Sequence, residues 1–283
     1  MSAITVAKKD FRDAVRSRTL LALTLVFALF TFGGAFLASW TAELFGEIEG
    51  DGAQTTMDLL FALQTPASFL VPIIALVVGY AAIAGERESG SLKFLLGLPH
   101  TRRDVVLGKI LGRTAVVAVS ILVGFAVGLV GLVTFVGSVS VVDYLLFTLV
   151  TILFGFVYVC IGVGLSSMTR STTKAAVGAL GMVLLFWFVW GIAAQLVLFW
   201  REGSFMVESF PEWYLSVVSL PPDSAYAAAL GTILGEDGFT MASIYETESL
   251  PLLAEPWFGF VLLAFWALVP LGFGLWRFDR ADL

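Results

Sequence analysis

Along its 283 residues the chain alternates between long apolar runs and short polar breaks. Uncharged stretches cover 19–42, 59–85, 114–142, 144–169, 175–200 and 256–276. Each exceeds the roughly 20 residues that carry a helix across a hydrocarbon core. A soluble protein would have to bury six helices with hardly any polar face, and surface helices normally carry one. The pattern predicts an all-α, polytopic integral membrane protein with six transmembrane helices, at 19–42, 59–85, 114–136, 144–168, 175–200 and 256–276. Residues 1–283 then form a single transmembrane domain. A polar segment, 86–113, separates the second and third spans, and a longer one, 201–255, precedes the sixth.

Composition agrees with that class. The chain is 59% hydrophobic and 13% charged, with a mean hydropathy of +0.95, against about 25% charged residues in soluble domains. With the N-terminus in the cytoplasm, 15 of the 16 Lys and Arg residues fall on the inner side and Arg201 alone lies outside. That bias is the positive-inside pattern. It puts both termini in the cytoplasm of a plasma-membrane protein. Of the 22 acidic residues, 15 fall on the outer side. Carboxylates contribute little to topology, so this acidity needs another reason. A surface that stays hydrated in high salt, in a salt-loving source, is favoured over a cation-attracting vestibule. The first apolar run is too long for a signal-peptide core, and the 18 residues before it include Asp10 and Asp13. The first span therefore reads as a retained anchor.

Outside the spans, residues 1–18 place Ile4, Ala7, Phe11 and Ala14 at helical spacing, with Lys8, Lys9, Arg12 and Arg16 mostly elsewhere on the wheel. This predicts an interfacial amphipathic helix at the inner leaflet, with a plain basic topogenic tail as the alternative. Trp40, Trp200, Trp257 and Trp276 fall at span ends, where an aromatic belt accounts for them. In the outer segment, Asp223 or Ser224 is the expected N-cap of a helix that runs to Leu234 and stops at Gly235. Phe210, Trp213, Tyr214, Leu215 and Val218 form a second short, partly apolar piece. Both read as helices on or dipping into the outer leaflet, against a loosely ordered acidic loop.

Little in the chain points to chemistry. Gly85–Ser91 matches G-x-x-x-x-G-S, but lacks the lysine of a phosphate loop and follows a span rather than a strand. Cys160 is the lone cysteine, and His100 the lone histidine, so no disulfide framework or His-based metal cluster is expected. Ser120, Ser166 and Ser167 have no membrane-embedded base to activate them. Ion-coupled carriers keep ionisable groups at mid-membrane, and the six spans hold none besides Tyr and Cys. Gln195 suits a hydrogen bond between helices. Gly124-x-x-x-Gly128 would permit a close helix contact, though in so Gly-rich a chain the signal is weak.

The segment GERESGSLKFLLGLPHTRRDVVLGK, 85–109, is the elaborate feature. Leu92, Leu95 and Leu96 give it an apolar face, and Gly97-Leu98-Pro99 should break the helix. Thr101 stands three residues before Asp104, a capping-box-like start for the helix that becomes span three. Glu86, Arg87 and Glu88 leave span two directly, so a push on this loop would be felt by spans two and three. A bundle without its own energy source but with such a loop suggests a driving partner; a lipid-binding topogenic loop is the alternative.

The run Glu86-Arg87-Glu88-Ser89-Gly90-Ser91-Leu92-Lys93-Phe94-Leu95-Leu96-Gly97-Leu98-Pro99, then Arg102-Arg103 and Val105-Val106-Leu107-Gly108-Lys109, resembles the permease subunits of ABC-2 type transporters. Lys9 to Arg18 and Leu220-Pro221-Pro222-Asp223-Ser224-Ala225-Tyr226 are similar too, so the resemblance covers essentially the whole chain. The general look is closest to the branch with permeases of copper-site maturation in nitrous-oxide reductase. One His, one Cys and six Met argue against this chain cradling copper in numbers.

The resemblance implies a half-transporter that pairs with a second permease copy, identical or related. It would bind a separate P-loop ATPase carrying the ATP and Mg. This chain would hold no cofactor, no metal and no catalytic residue, and would be no enzyme by itself. The 86–113 loop would supply the coupling helix, with Glu86, Arg87, Glu88, Gly90, Leu92, Leu95, Pro99, Arg102 and Arg103 as docking residues. Arg170 and Lys174 would form a second contact, and the outer segment would supply external or re-entrant helices. Uncharged spans suit an apolar or amphipathic cargo, with export expected, and nothing points to nucleic acid. An ATP-independent membrane scaffold or assembly protein, and an intramembrane enzyme lacking a visible base, remain the rival readings.

Overall fold

The computed structural model describes residues 3–45, 56–92, 101–135, 140–207, 209–235, 241–245, 247 and 249–280. Among them six helices are long and apolar enough to cross a membrane. The first two are α2, Arg18–Phe45, and α3, Thr56–Gly79. The third and fourth are α5, Arg102–Phe135, and α6, Val141–Met168. The fifth joins α7 (Thr172–Leu184) to α8 (Trp190–Glu202) through a π-helical turn at Leu185–Val189. The last is α12, Phe258–Asp279, preceded by a short helix, α11, at Met241–Tyr245. Helices are the expected solution, because backbone groups in lipid must be satisfied within the segment. Large apolar side chains remain outside the bundle on α2, the fifth span and α12, such as Leu25, Leu29, Leu180, Ile192 and Leu268. That surface suits lipid.

The fourth span is the core. Phe147, Phe154, Tyr158 and most of its inner half are buried. Small residues let its neighbours close on it. A Cβ on Gly162 would lie 3.2 Å from the Cα of Gly79, and one on Gly164 would lie 2.6 Å from the carbonyl oxygen of Pro270. Backbones in lipid associate through such close packing. The Gly124/Gly128 pair serves the same purpose. Gly124 receives the ring of Phe27, which leaves no room for a Cβ, and Gly128 receives Thr31.

Two short elements pack against the spans. The first is α1, Ala3–Val15, whose buried residues are Val6, Asp10 and Ala14. Ile4, on the expected apolar face, is 59% exposed and left free of protein contacts that would bury it. The helix turns this way because it packs on the start of α5 at Gly108 and Gly112, where Val6 and the Ala7 carbonyl fill the space a Cβ would need. Asp10 follows them inward because two cations await it there.

The second is the outer segment, which folds back into the bundle as a helical hairpin. Its limbs are α9, Glu212–Val218, and α10, Pro222–Leu234. Helix α10 starts at Pro222 rather than being capped by Asp223 or Ser224, and Gly235 ends it with φ +106°. Tyr214 donates to Gln195 (2.7 Å), and Trp190 Nε1 to the Val217 carbonyl (2.8 Å). Trp266 Nε1 donates to the Leu220 carbonyl (2.8 Å), and Tyr226 stacks on Phe154. The limbs thus descend along the fifth span and rise beside the fourth. Gly259 of α12 accepts the backbone of α10 so closely that a Cβ there would lie 2.5 Å from the Ala225 carbonyl.

Gly164→Ala should lower stability by about 1–3 kcal/mol through overpacking. Gly272→Ala, where nothing lies within 4 Å, should not. Thermal melts of the detergent-solubilised variants check the pair.

Candidate functional site

The candidate site lies on the basic side, where span two ends. Helix α3 stops at Gly79, and after a turn the chain starts α4, Ala84–Glu88. The new helix needs partners for its first N–H groups. Ser166 of the fourth span supplies them, accepting from the backbone N–H of Ile83 (3.0 Å) and Ala84 (2.9 Å). Gly85 is therefore helical, so the G-x-x-x-x-G-S match is not a phosphate-binding loop. Gly90 follows with φ +76°, in the left-handed region that glycine adopts freely, and Leu92 is buried.

The three charged residues of α4 point in three directions. Glu86 turns toward the third span, where Lys109 Nζ donates to its Oε1 at 2.8 Å. The same ammonium reaches Asp10 Oδ1 of α1 at 3.2 Å, and Arg113 Nη2 donates to that oxygen at 3.0 Å. The Lys109 side chain is 2% exposed and that of Asp10 7%. Buried charges are tolerated only when paired, and two carboxylates with two cations satisfy that condition. Arg87 runs the other way. Its Nη1 donates to the carbonyls of Ser167 (3.3 Å) and Thr169 (3.2 Å), and its guanidinium lies 4.6 Å from the ring centroid of Phe278. Glu88 stays exposed and accepts from the backbone N–H of Thr172 (2.8 Å) and from its hydroxyl, capping the fifth span.

The start of span three completes the cluster. Thr101 and Asp104 form a reciprocal capping box: Thr101 N–H donates to Asp104 Oδ2 and Asp104 N–H to Thr101 Oγ1, each at 3.1 Å. Arg102 donates to the carbonyls of Phe278 (2.6 Å) and Asp279 (3.0 Å) at the end of the last span. Arg103 pairs with the Asp279 carboxylate at 3.7 Å. Five residues of α4 thereby contact α1 indirectly and spans three, four, five and six directly.

The expected docking residues thus divide. Glu86, Arg87 and Leu92 are committed to internal contacts, and Arg102 is half-buried on α12. Glu88, Arg103, Arg170 and Lys174 are exposed on the basic side. Gly90 is half-exposed. Leu95, Pro99 and the expected helix break around them lie outside the described residues. Sequence reasoning used Asp10 only against a signal peptide, counted Lys109 and Arg113 among the inner basic residues, and read Lys109 as the end of the family-like motif. Their four-residue spacing from Lys109 to Arg113, beside the Gly108/Gly112 contact, was the available signal.

A second polar cluster lies deeper. Asp223, at the tip of the outer hairpin, accepts from Tyr158 (2.7 Å) and from Trp187 Nε1 (3.4 Å). Tyr158 is about 25 Å along its helix from Val141 and about 15 Å from Met168. The six uncharged runs carry no carboxyl, yet the bundle holds one against Tyr158, brought in by a helix of 13 residues, too short to span. Trp187 reaches it from the π-helical turn, and Thr151 and Tyr226 share a hydrogen bond nearby (2.7 Å).

Comparison with known proteins adds a family. The profile described as ABC-2 family transporter protein matches residues 4–283. A probable ABC transporter permease protein NosY from Pseudomonas aeruginosa is 32% identical over 280 residues, covering 96% of this chain and 97% of the relative. A protein of the same description from Stutzerimonas stutzeri is 31% identical over 276 residues, covering 93% and 96%.

Asp10→Ala leaves buried cations short of a counter-charge and should cost about 3–5 kcal/mol, whereas Glu88→Ala, at an exposed cap, should leave the melting temperature nearly unchanged. Tyr158→Phe should destabilise by about 1.5–3 kcal/mol, the range for a hydrogen bond to a charged group. Thermal melts read all three.

Proposed function

The chain belongs to the ABC-2 family of transporter proteins, and from that premise we propose that it is the permease through which a separate P-loop ATPase drives an apolar or amphipathic cargo outward across the plasma membrane. The ATPase binds the ATP and Mg, and docks on 86–113, with Arg170 and Lys174 as its second contact. A second permease copy completes the pathway, and both termini lie in the cytoplasm.

The observation that carries this reading is the anchoring of α4. A helix tied by Glu86 to Lys109, by Arg87 to the fourth span and by Glu88 to the fifth cannot tilt without moving those elements. Partner closure would arrive as a rigid-body motion between two global states. The exposed side chains of Arg103, Arg170 and Lys174 on the same side offer a charged surface for the partner. Cargo chemistry is supported by a groove of about 790 Å³ among the first, second and fifth spans, walled by Leu29, Phe30, Pro66, Phe69, Ile73 and Trp187. Its lining suits hydrocarbon, as ligand sites with few polar groups do.

A mild-detergent pull-down of the native protein, with identification of partners and an ATPase assay, tests the reading. A stoichiometric P-loop ATPase should co-purify. Arg103→Glu/Arg170→Glu/Lys174→Glu should reduce its retention at least tenfold while leaving the melting temperature of the permease alone nearly unchanged. Full retention would place docking elsewhere, and absence of any ATPase would favour an ATP-independent scaffold.

A further inference from the structure

We propose that the cleft between α1 and the start of α5 is a binding site for one anionic phospholipid, with its phosphate held by Lys8 and Arg12. The cleft encloses about 530 Å³. Its floor is Ile4, Phe11, Leu111 and Ala115, and Lys8 and Arg12 stand at its edge. Leu111 is 52% exposed and Ile4 59%, so the protein itself leaves this apolar strip uncovered.

Charge complementarity selects the occupant. Lys8 and Arg12 are exposed, sit one helical turn apart, and have no carboxylate partner among the described residues. Residues at this spacing have Cβ atoms about 5–6 Å apart, close enough to share one phosphodiester. Nearby acids do not oppose an anion. Asp10 faces the other way and is neutralised by Lys109 and Arg113, while Asp13 is paired with Lys9 at 3.6 Å. Arg16, one turn further on, extends the same exposed basic row. An acyl chain then runs along Leu111 and Ala115, parallel to the third span.

The site is built by the same glycine contact that buries Asp10. A Cβ on Gly112 would lie 2.8 Å from the Ala7 carbonyl, so α1 sits against α5 there and the cleft opens beside the contact line. A bound lipid therefore bridges α1 to the third span from outside, opposite the Lys109 bridge within. The inference does not depend on cargo or on the ATPase.

The experiment uses the full-length protein in mild detergent. Phosphatidylglycerol and phosphatidylcholine of matched acyl chains are supplied at equal mole fraction, and native mass spectrometry counts the retained lipid. Each near-surface Lys or Arg contributes about 1 kcal/mol toward an anionic lipid, about fivefold. Two of them should give roughly thirtyfold preferential retention of phosphatidylglycerol. K8Q/R12Q should bring that ratio near unity, and K9Q, which removes the cation already paired with Asp13, should leave it within about twofold. A115W, which fills the cleft and keeps both cations, should also abolish retention. Millimolar inorganic phosphate should not compete. An unchanged ratio in K8Q/R12Q or in a folded A115W would overturn the site, as would displacement of the lipid by phosphate. Should A115W fail to fold, K8Q/R12Q decides alone, because both side chains are exposed and have no internal partner.

Discussion

The structure on the basic side depends on one buried ammonium. Lys109 emerges from the third span with almost no exposure and holds Glu86 of α4 on one side and Asp10 of α1 on the other. Without it Glu86 would lose its cation and Asp10 would keep Arg113 alone, and an unpaired charge beside apolar helices costs several kcal/mol. One side chain thus joins three pieces of chain that lie far apart in sequence. Arg113 shares Asp10 and completes the charge balance. The glycine contact at 108 and 112 makes the arrangement sterically available, and the ion cluster makes it specific.

The far side of the bundle solves a related problem with neutral donors. A hairpin of two helices too short to span leaves backbone carbonyls near its turn, packed among apolar helices that offer few donors. Trp190 and Trp266 donate to two of them, and Tyr158 and Trp187 to Asp223. Indoles and phenols suit this duty because most of each side chain is apolar. The fourth span takes part at both levels. Tyr158 receives the outer hairpin, and Ser166, two turns further on, receives α4. Motion imposed on α4 has a continuous packed route to the hairpin through that helix and through α12, which touches both.

Much of this was legible from residue order. Charges alone locate six spans, because bilayer thickness leaves few other readings of apolar runs of that length. The motif from Glu86 to Lys109 identifies the family resemblance, and Thr101 with Asp104 signals the capping box. What could not be read was pairing across sequence distance. Asp10 is one acid in a basic stretch until Lys109 and Arg113 are placed beside it. The burial of Val6 in preference to Ile4 depends on two glycines a hundred residues away. Asp223 counted as an outer charge, since nothing in a non-spanning helix announces how deep it will insert. Glu86 was expected at the docking surface, and only the placement of Lys109 reveals that its carboxylate turns inward as well.

The central claim is that the ion cluster around Lys109 makes α1, α4 and the spans move as one body. The most direct measurement is a spin-label distance between Thr5 on α1 and Thr173 at the start of the fifth span, both exposed, taken in the permease–ATPase complex with and without ATP. The account predicts the same distance in both states, and an ATP-dependent change of several ångströms in Asp10→Asn/Lys109→Met while the ATPase remains bound. An ATP-dependent change in the unaltered protein, or none in that variant, would contradict it.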